Sequence, residues 1–150
     1  MDVFQTKIEA YRQQVYRIIG AAMAVHRELS WGLLEPIYNE ALHLELTTKG
    51  IANESEELLP CYYKGIKLNK YYKMDIVVDD IIVELKSVED LISEHRAQLF
   101  NYLRLTKKPI GLLIHFGRKS LQGERYAFDE LTNECYLLDK DMNIIQEKYS

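Results

Sequence analysis

Met74-Asp75-Ile76-Val77-Val78-Asp79-Asp80-Ile81-Ile82-Val83-Glu84-Leu85-Lys86 is the stretch that decides how this chain folds. Its β-branched residues stand in two runs on either side of a pair of aspartates, which suits two strands joined by a tight turn. A two-residue turn at Asp79-Asp80 sets the register outward: Val78 faces Ile81, Val77 faces Ile82, Ile76 faces Val83, and Asp75 falls opposite Glu84. The side-chain period of two then puts Lys73, Asp75, Val77, Ile82, Glu84 and Lys86 on one face. Two carboxylates set across from each other inside an apolar hairpin repel and destabilise it. A divalent cation with oxygen ligands between them removes that cost, with Lys86 and Lys73 on the same face. The plainer reading, a solvated face of alternating charge, fits less well with so apolar a run.

Working outward, 150 residues are one domain's worth of chain, so residues 1–150 are read as a single unit able to bury a core. The composition, 47% hydrophobic and 28% charged, is that of an ordinary globular protein without low-complexity tracts. No basic-then-apolar leader opens the sequence, and no apolar run reaches membrane-spanning length. Cys61 and Cys135 lack metal-binding spacing and are too few for a disulfide framework, so they read as thiols of a cytoplasmic protein. The net charge of −4 argues weakly against an indiscriminate polyanion binder.

In chain order, apolar residues from Ile8 to Leu29 recur at helical spacing and predict one long amphipathic helix over residues 6–29. Ser30 is the expected N-cap of a second helix from Leu33 to Lys49, with Pro36 in its first turn and Gly50 at its end. Glu35, Tyr38, Leu42 and Leu46 share a face of that helix, and the Glu35 carboxylate sits near its positive end. The polar run 53–57 is expected to precede the sheet. Strands follow at 58–63 and 66–78 around Lys64-Gly65, with an irregularity at Asn69-Lys70. Helical periodicity returns over 89–106, and Ile110 to Phe116 reads as a buried parallel strand. Weaker strand signals lie at 125–128 and 135–138, and the tail from Asp139 is expected to fray.

This order carries a resemblance. Asp75 followed by Glu84-Leu85-Lys86 resembles the PD-(D/E)XK nuclease superfamily. Gly32-Leu-Leu-Glu35-Pro-Ile-Tyr38 is similar to the motif that names the GxxExxY protein family. Ala24 to Leu29, Tyr62-Tyr63-Lys64-Gly65, and His95-Arg96-Ala97-Gln98-Leu99 with Tyr102-Leu103 agree with it, over roughly residues 26–116. The departures are Trp31 and Met74 where proline is usual, and Lys73 where arginine is common. The resemblance implies an α/β fold, a three-layer sandwich around a central mixed sheet with a restriction-endonuclease-like αβββαβ core.

It further implies a metal-dependent phosphodiester hydrolase, with DNA the expected substrate. Mg²⁺ or Mn²⁺ would be held by Glu35, Asp75, Glu84 and the backbone carbonyl of Leu85. Lys86 would orient or deprotonate the attacking water, and Gln98 would position water or phosphate. The alternative is a nucleic-acid- or protein-binding module that keeps the nuclease fold with little or no turnover, with a protein partner or homo-oligomer expected in that case. Other residues have plainer readings. Glu35 is stabilising at a helix start without any metal, and His26 reads as a satisfied core histidine. His95 and Tyr102 read as packing residues on the Gln98 face. Tyr62, Tyr63, Tyr71 and Tyr72 suit either base stacking or strand packing. Lys107-Lys108 and Arg118-Lys119 read as solvated loop charges.

Overall fold

The computed structural model describes residues 3–149. Helices α1 (Val3–Glu9), α2 (Arg12–Leu29) and α3 (Glu35–Thr48) come first, followed by strands β1 (Glu54–Tyr63), β2 (Ile66–Val78) and β3 (Ile81–Lys86). Then come α4 (Ser93–Thr106) and strands β4 (Ile110–His115), β5 (Gln122–Asp129), β6 (Glu134–Leu138) and β7 (Ile144–Tyr149). Among the described residues the strands form one sheet in sequence order, β1 to β7. β3 and β4 pair in parallel through the α4 crossover, and the other neighbours are antiparallel. The sheet is therefore mixed, as expected for the αβββαβ core. No helix among the described residues is long and apolar enough to cross a membrane.

Two cores separate the layers. Side chains of α1, α2 and α3 pack with Ile76, Val78, Ile81, Val83 and Leu85 on one face of the sheet. Leu99, Phe100, Tyr102 and Leu103 of α4 pack with Val77, Ile82, Leu113 and Tyr126 on the other. Every residue of β4 is buried, which accounts for its unbroken apolar pattern. A cavity of about 650 Å³ lined by Arg12, Arg17, Lys49 and Arg125 opens beside α2. The backbone of the hairpin turn at Asp79-Asp80 is the one expected, with Asp79 at a φ of 50° and the pairs Val78↔Ile81, Val77↔Ile82 and Ile76↔Val83.

Several boundaries differ from expectation, each for a physical reason. The first helix is broken at Ala10-Tyr11, where the Tyr11 N–H reaches back only to the Ile8 carbonyl. There the Tyr11 hydroxyl donates to Asp80 Oδ2 at 2.8 Å, tying the break to the hairpin turn. Ser30 does not cap α3; its N–H closes the end of α2 on the His26 carbonyl, and Leu34 occupies the N-cap of α3. Strand β1 begins inside the polar run, at Glu54, because Glu54 and Ser55 pair with Val77 and Ile76. The register shift between Pro60 and Tyr62 lies opposite 68–70, where the irregularity was expected. Helix α4 starts at Ser93, four residues later than its periodicity suggests, and the segment after Asp139 adds strand β7 against β6. Ser150, the last residue of that expected frayed tail, lies outside the described residues.

Candidate functional site

The geometry that matters begins where the β2–β3 ladder stops. In an antiparallel pair, hydrogen-bonded and non-hydrogen-bonded positions alternate, so after Ile76–Val83 the next exchange would fall at Met74–Leu85. It does not form. The Leu85 N–H donates to Asp75 Oδ2 at 2.9 Å, and the Asp75 N–H donates to Glu84 Oε1 at 2.9 Å. Each acid thus accepts a backbone hydrogen bond from the opposite strand.

The neighbouring strand yields at the same place. Pairing of β1 with β2 runs from Ser55↔Ile76 to Glu57↔Met74 around an unpaired Glu56, whose φ is 56°. The side-chain alternation slips with it: Ile76 packs under α2 and α3, whereas Met74 and Val77 both pack on the α4 side. Tyr72 also meets α4, at Tyr102. Lys73, between Tyr72 and Met74, consequently faces the other way and not alongside Glu84, contrary to the simple count.

Glu84 is 3% exposed, and Asp75 is half-buried beside it. Burial pushes the Glu84 carboxyl well above its ordinary value, and the Asp75 charge adds to this; the Asp75 N–H and Lys86 offset part of it. Asp75 is raised as well, first by burial and then by Glu35, against the Leu85 N–H, Glu84 and Lys86. The pair is one site with one shared deficit of positive charge. Lys86 supplies part of the remedy, and its Nζ donates to Gln98 Oε1 of α4 at 3.2 Å.

Glu35 arrives from the other layer. Its Oε2 accepts the N–H of Ser87, just past Lys86, at 3.4 Å, and the Ser87 hydroxyl donates to the Leu33 carbonyl. The loop before α3 is shaped for this. Gly32 has a φ of 85°, and its N–H donates to the Phe116 carbonyl. The Tyr38 hydroxyl accepts the Leu33 N–H and donates to the Ser30 carbonyl, while its ring stacks on Phe116 at 4.3 Å. Gly32 and Tyr38 thus fasten the loop before α3 to Phe116 just past β4, while Glu35 ties the start of α3 to Ser87 just past β3.

The structure therefore brings Asp75, Glu84, Leu85, Lys86 and Gln98 together, with Glu35 near enough for its charge to act on Asp75. Among the described residues no group of three or more His, Cys, Asp or Glu side chains stands ready as a metal cage. The donor chemistry still fits a hard divalent ion: one buried and one half-buried carboxylate, both raised chiefly by burial, with a third acid and one lysine close by.

The residues given plainer readings divide. His26 is a satisfied core residue, its Nε2 2.8 Å from the Arg118 carbonyl. Lys108 donates to the Asp79 carbonyl and Arg118 pairs with Asp90, so both have structural partners. His95 belongs closer to the site than its periodicity suggested. Its Nδ1 accepts the Ile92 N–H, and its pKa is lowered, first by burial and then by Lys86. The His95-to-Gln98 spacing, one helical turn, is the signal that could have found it. Tyr102, raised by burial and by both acids, packs under the same site.

A family model of the PD-(D/E)XK nuclease superfamily matches residues 12–126, a span that contains every residue of this cluster. The chain belongs to the PD-(D/E)XK nuclease superfamily. The crystal structure of SSO0001 aligns with a TM-score of 0.51 at 21% identity, over 65% of this chain and 52% of that one. This likeness is one of fold, and the matched part spans about half of that protein's length. No curated protein matches the sequence. Within the PD-(D/E)XK pattern, Met74 stands at the proline position. It is 2% exposed and packs with Val77 and Ile82, so an apolar side chain serves as an anchor for Asp75.

Proposed function

We propose that this chain is a divalent-metal-dependent nuclease of the GxxExxY kind, acting on DNA. The observation that carries the proposal is the exchange at the end of the hairpin. Asp75 accepts the Leu85 N–H and Glu84 accepts the Asp75 N–H in place of ladder carbonyls, so both carboxylates are held in place before any ligand arrives. Asp75, Glu84 and the Leu85 carbonyl, with Glu35 alongside, would hold Mg²⁺ or Mn²⁺. Such an ion supplies Lewis acidity, lowering the pKa of water and offsetting charge on a phosphoryl group. The protein's own contribution lies in Lys86 and Gln98. Lys86, an ammonium with three donors, stabilises negative charge developing on the phosphoryl oxygens and orients the attacking water. Gln98 fixes the position of Lys86 by accepting its hydrogen bond.

The test is Lys86→Ala, assayed for cleavage of single- and double-stranded DNA across a titration of Mg²⁺ and Mn²⁺. The side chain is half-buried and takes no part in the ladder, so the variant should fold and bind metal while cleavage falls roughly 10²–10⁴-fold. Undiminished cleavage refutes the role. A second reading, a nucleic-acid- or protein-binding module with the nuclease fold, is favoured by one observation, the net charge of −4. Absence of cleavage by the wild type at every metal concentration selects it.

A further inference from the structure

The distal half of the β1–β2 ribbon is an outlier in this fold. From Leu58 to Met74 the sequence carries Lys64, Lys67, Lys70 and Lys73 and no acidic residue, inside a chain whose net charge is −4. The first eight residues of β2 are all exposed, so apart from Tyr72 this part of the ribbon lies over neither core. Tyr62, Tyr63 and Tyr71 are 61%, 62% and 59% exposed, and Ile66 and Leu68 are open as well. Strand packing therefore does not explain these tyrosines, although Tyr72 does pack, edge-on against Tyr102. None of the four lysines forms an ion pair among the described residues. The Lys64 ammonium lies 5.5 Å from the Tyr63 ring centroid.

We infer that this ribbon is an arm that binds single-stranded nucleic acid, with Tyr62 and Tyr71 stacking on unpaired bases and the lysines meeting phosphates. Exposed aromatic faces interleaved with cations are what unpaired bases on a polyanionic backbone require, and a paired duplex offers no free base faces. A second copy of the chain is the other occupant of such a surface, and charge argues against it. Two arms brought together would oppose four lysines to four lysines, whereas a phosphate backbone neutralises them. The arm also leads to the catalytic cluster. β2 runs from Tyr71 through Tyr72 and Lys73 directly into Asp75, and Tyr102 donates to the Lys73 carbonyl from the helix that carries Gln98. A strand held on the arm is thereby delivered along β2 toward the acids. The inference rests on the nuclease reading for its substrate, not for its binding surface.

The experiment measures binding in chelator, where cleavage plays no part. The probes are a fluorescent 20-nucleotide oligo(dT) and a mixed-sequence duplex of the same length. Tyr62→Ala/Tyr71→Ala should weaken oligo(dT) binding roughly tenfold for each tyrosine that stacks, with duplex binding and thermal melting unchanged. Tyr62→Phe/Tyr71→Phe keeps the ring and should keep the affinity. Lys67→Ala/Lys70→Ala should flatten the dependence of log affinity on log salt by about 0.7 for each phosphate no longer neutralised. A folded alanine variant that binds oligo(dT) like the wild type overturns the inference. So does an equal loss on duplex, or a wild-type dimer that the alanine pair converts to monomer. Wild type that binds but never cleaves in Mg²⁺ or Mn²⁺ sinks the nuclease reading and leaves the arm standing.

Discussion

Glu84→Gln separates a functional acid pair from a structural one. The glutamine keeps an oxygen where Glu84 Oε1 accepts the Asp75 N–H, so the backbone partner is retained. It removes a charge from a site that is 3% exposed, and it removes the repulsion with Asp75. What is lost is the attraction to Lys86, which offsets only part of those two effects, since the Glu84 carboxyl stays well above its ordinary value. The balance favours the variant. In chelator at pH 8 it should be more stable by about 1–3 kcal/mol, the order of the desolvation cost of an incompletely paired buried group. For a chain of this length that corresponds to roughly 2–12 °C in Tm. Glu84→Ala lacks the acceptor and leaves the Asp75 N–H unpaired, at a cost of about 1–3 kcal/mol, so it should show little of the gain.

The pH dependence carries the same sign. An acid raised on folding binds its proton more tightly in the native state, so the native state holds more protons between the two pKa values. Wild-type stability in chelator should therefore fall as pH rises from the ordinary carboxylate value of 4.5 up through the raised one. The slope is bounded by about 1.4 kcal/mol per pH unit for one proton. Glu84→Gln should lose that component. Excess Mg²⁺ should raise the wild-type Tm, since a ligand bound only by the native state stabilises it by about 2.7 kcal/mol at a hundred times its Kd. The variant should lose most of that rise. Thermal melts of both proteins from pH 5 to 9, in chelator and in Mg²⁺, measure all of this. A variant that melts below wild type in chelator, with no Mg²⁺ response in either protein, refutes the reasoning.

Two further outcomes follow from the surrounding scaffold. Burial alone would raise Glu124, but hydrogen bonds from Arg96 at 2.7 Å and from Tyr126 outweigh it and hold the carboxyl below 4.5. Its stabilising contribution is present above 4.5 and is lost as pH falls through the lowered value. Glu124→Gln should accordingly cost about 1–2 kcal/mol at pH 7 in urea unfolding, less whatever solvent screens, and that cost should shrink as pH falls below 4.5. A constant difference across that range would exclude the ion pair as the cause. Gly117→Ala should destabilise by at least about 1–3 kcal/mol and reduce cleavage with it. Its Cβ would lie 1.9 Å from the Val88 carbonyl oxygen, a backbone atom in the loop that leaves Lys86. An alanine variant with an unchanged melt would show that the loop after β3 moves freely.

The hairpin was legible because its register is set locally. Two turn residues and a run of β-branched side chains fix which residue faces which, and no distant contact is needed to decide it. What escaped was decided from far away. Apolar spacing runs unbroken through Ile8, Tyr11 and Val15, so nothing nearby announces the break at Ala10-Tyr11; what marks it is a hydroxyl bonded to Asp80, 69 residues on. The acidic start of β1 contradicts strand propensity. It is tolerated because β1 is an edge strand whose Glu54 and Glu56 are exposed. Helix α3 begins at an N-cap, Leu34, that makes no side-chain cap hydrogen bond, because the Gly32–Tyr38 loop already holds that end. At the site, Asp75, Glu84 and Lys86 could be read from spacing. The hydrogen bond from Lys86 to Gln98 depended on the α4 crossover, which spacing alone does not place.

The count along β2 failed at one residue, and the failure is informative. Alternation predicts that Lys73 shares a face with Asp75, yet the faces slip between Met74 and Ile76, where Glu56 drops out of the β1 pairing. A strand satisfied by its own ladder has no reason to slip there. The slip is what frees the Asp75 N–H for Glu84 and lets the Asp75 carboxylate take the Leu85 N–H. Backbone groups that would otherwise be unpaired in a buried place thus hold the two acids, and the acids in turn replace the missing ladder bonds. The hairpin is thus ordered by the protein's own hydrogen bonds, with both carboxylates already held at the end of the β2–β3 ladder.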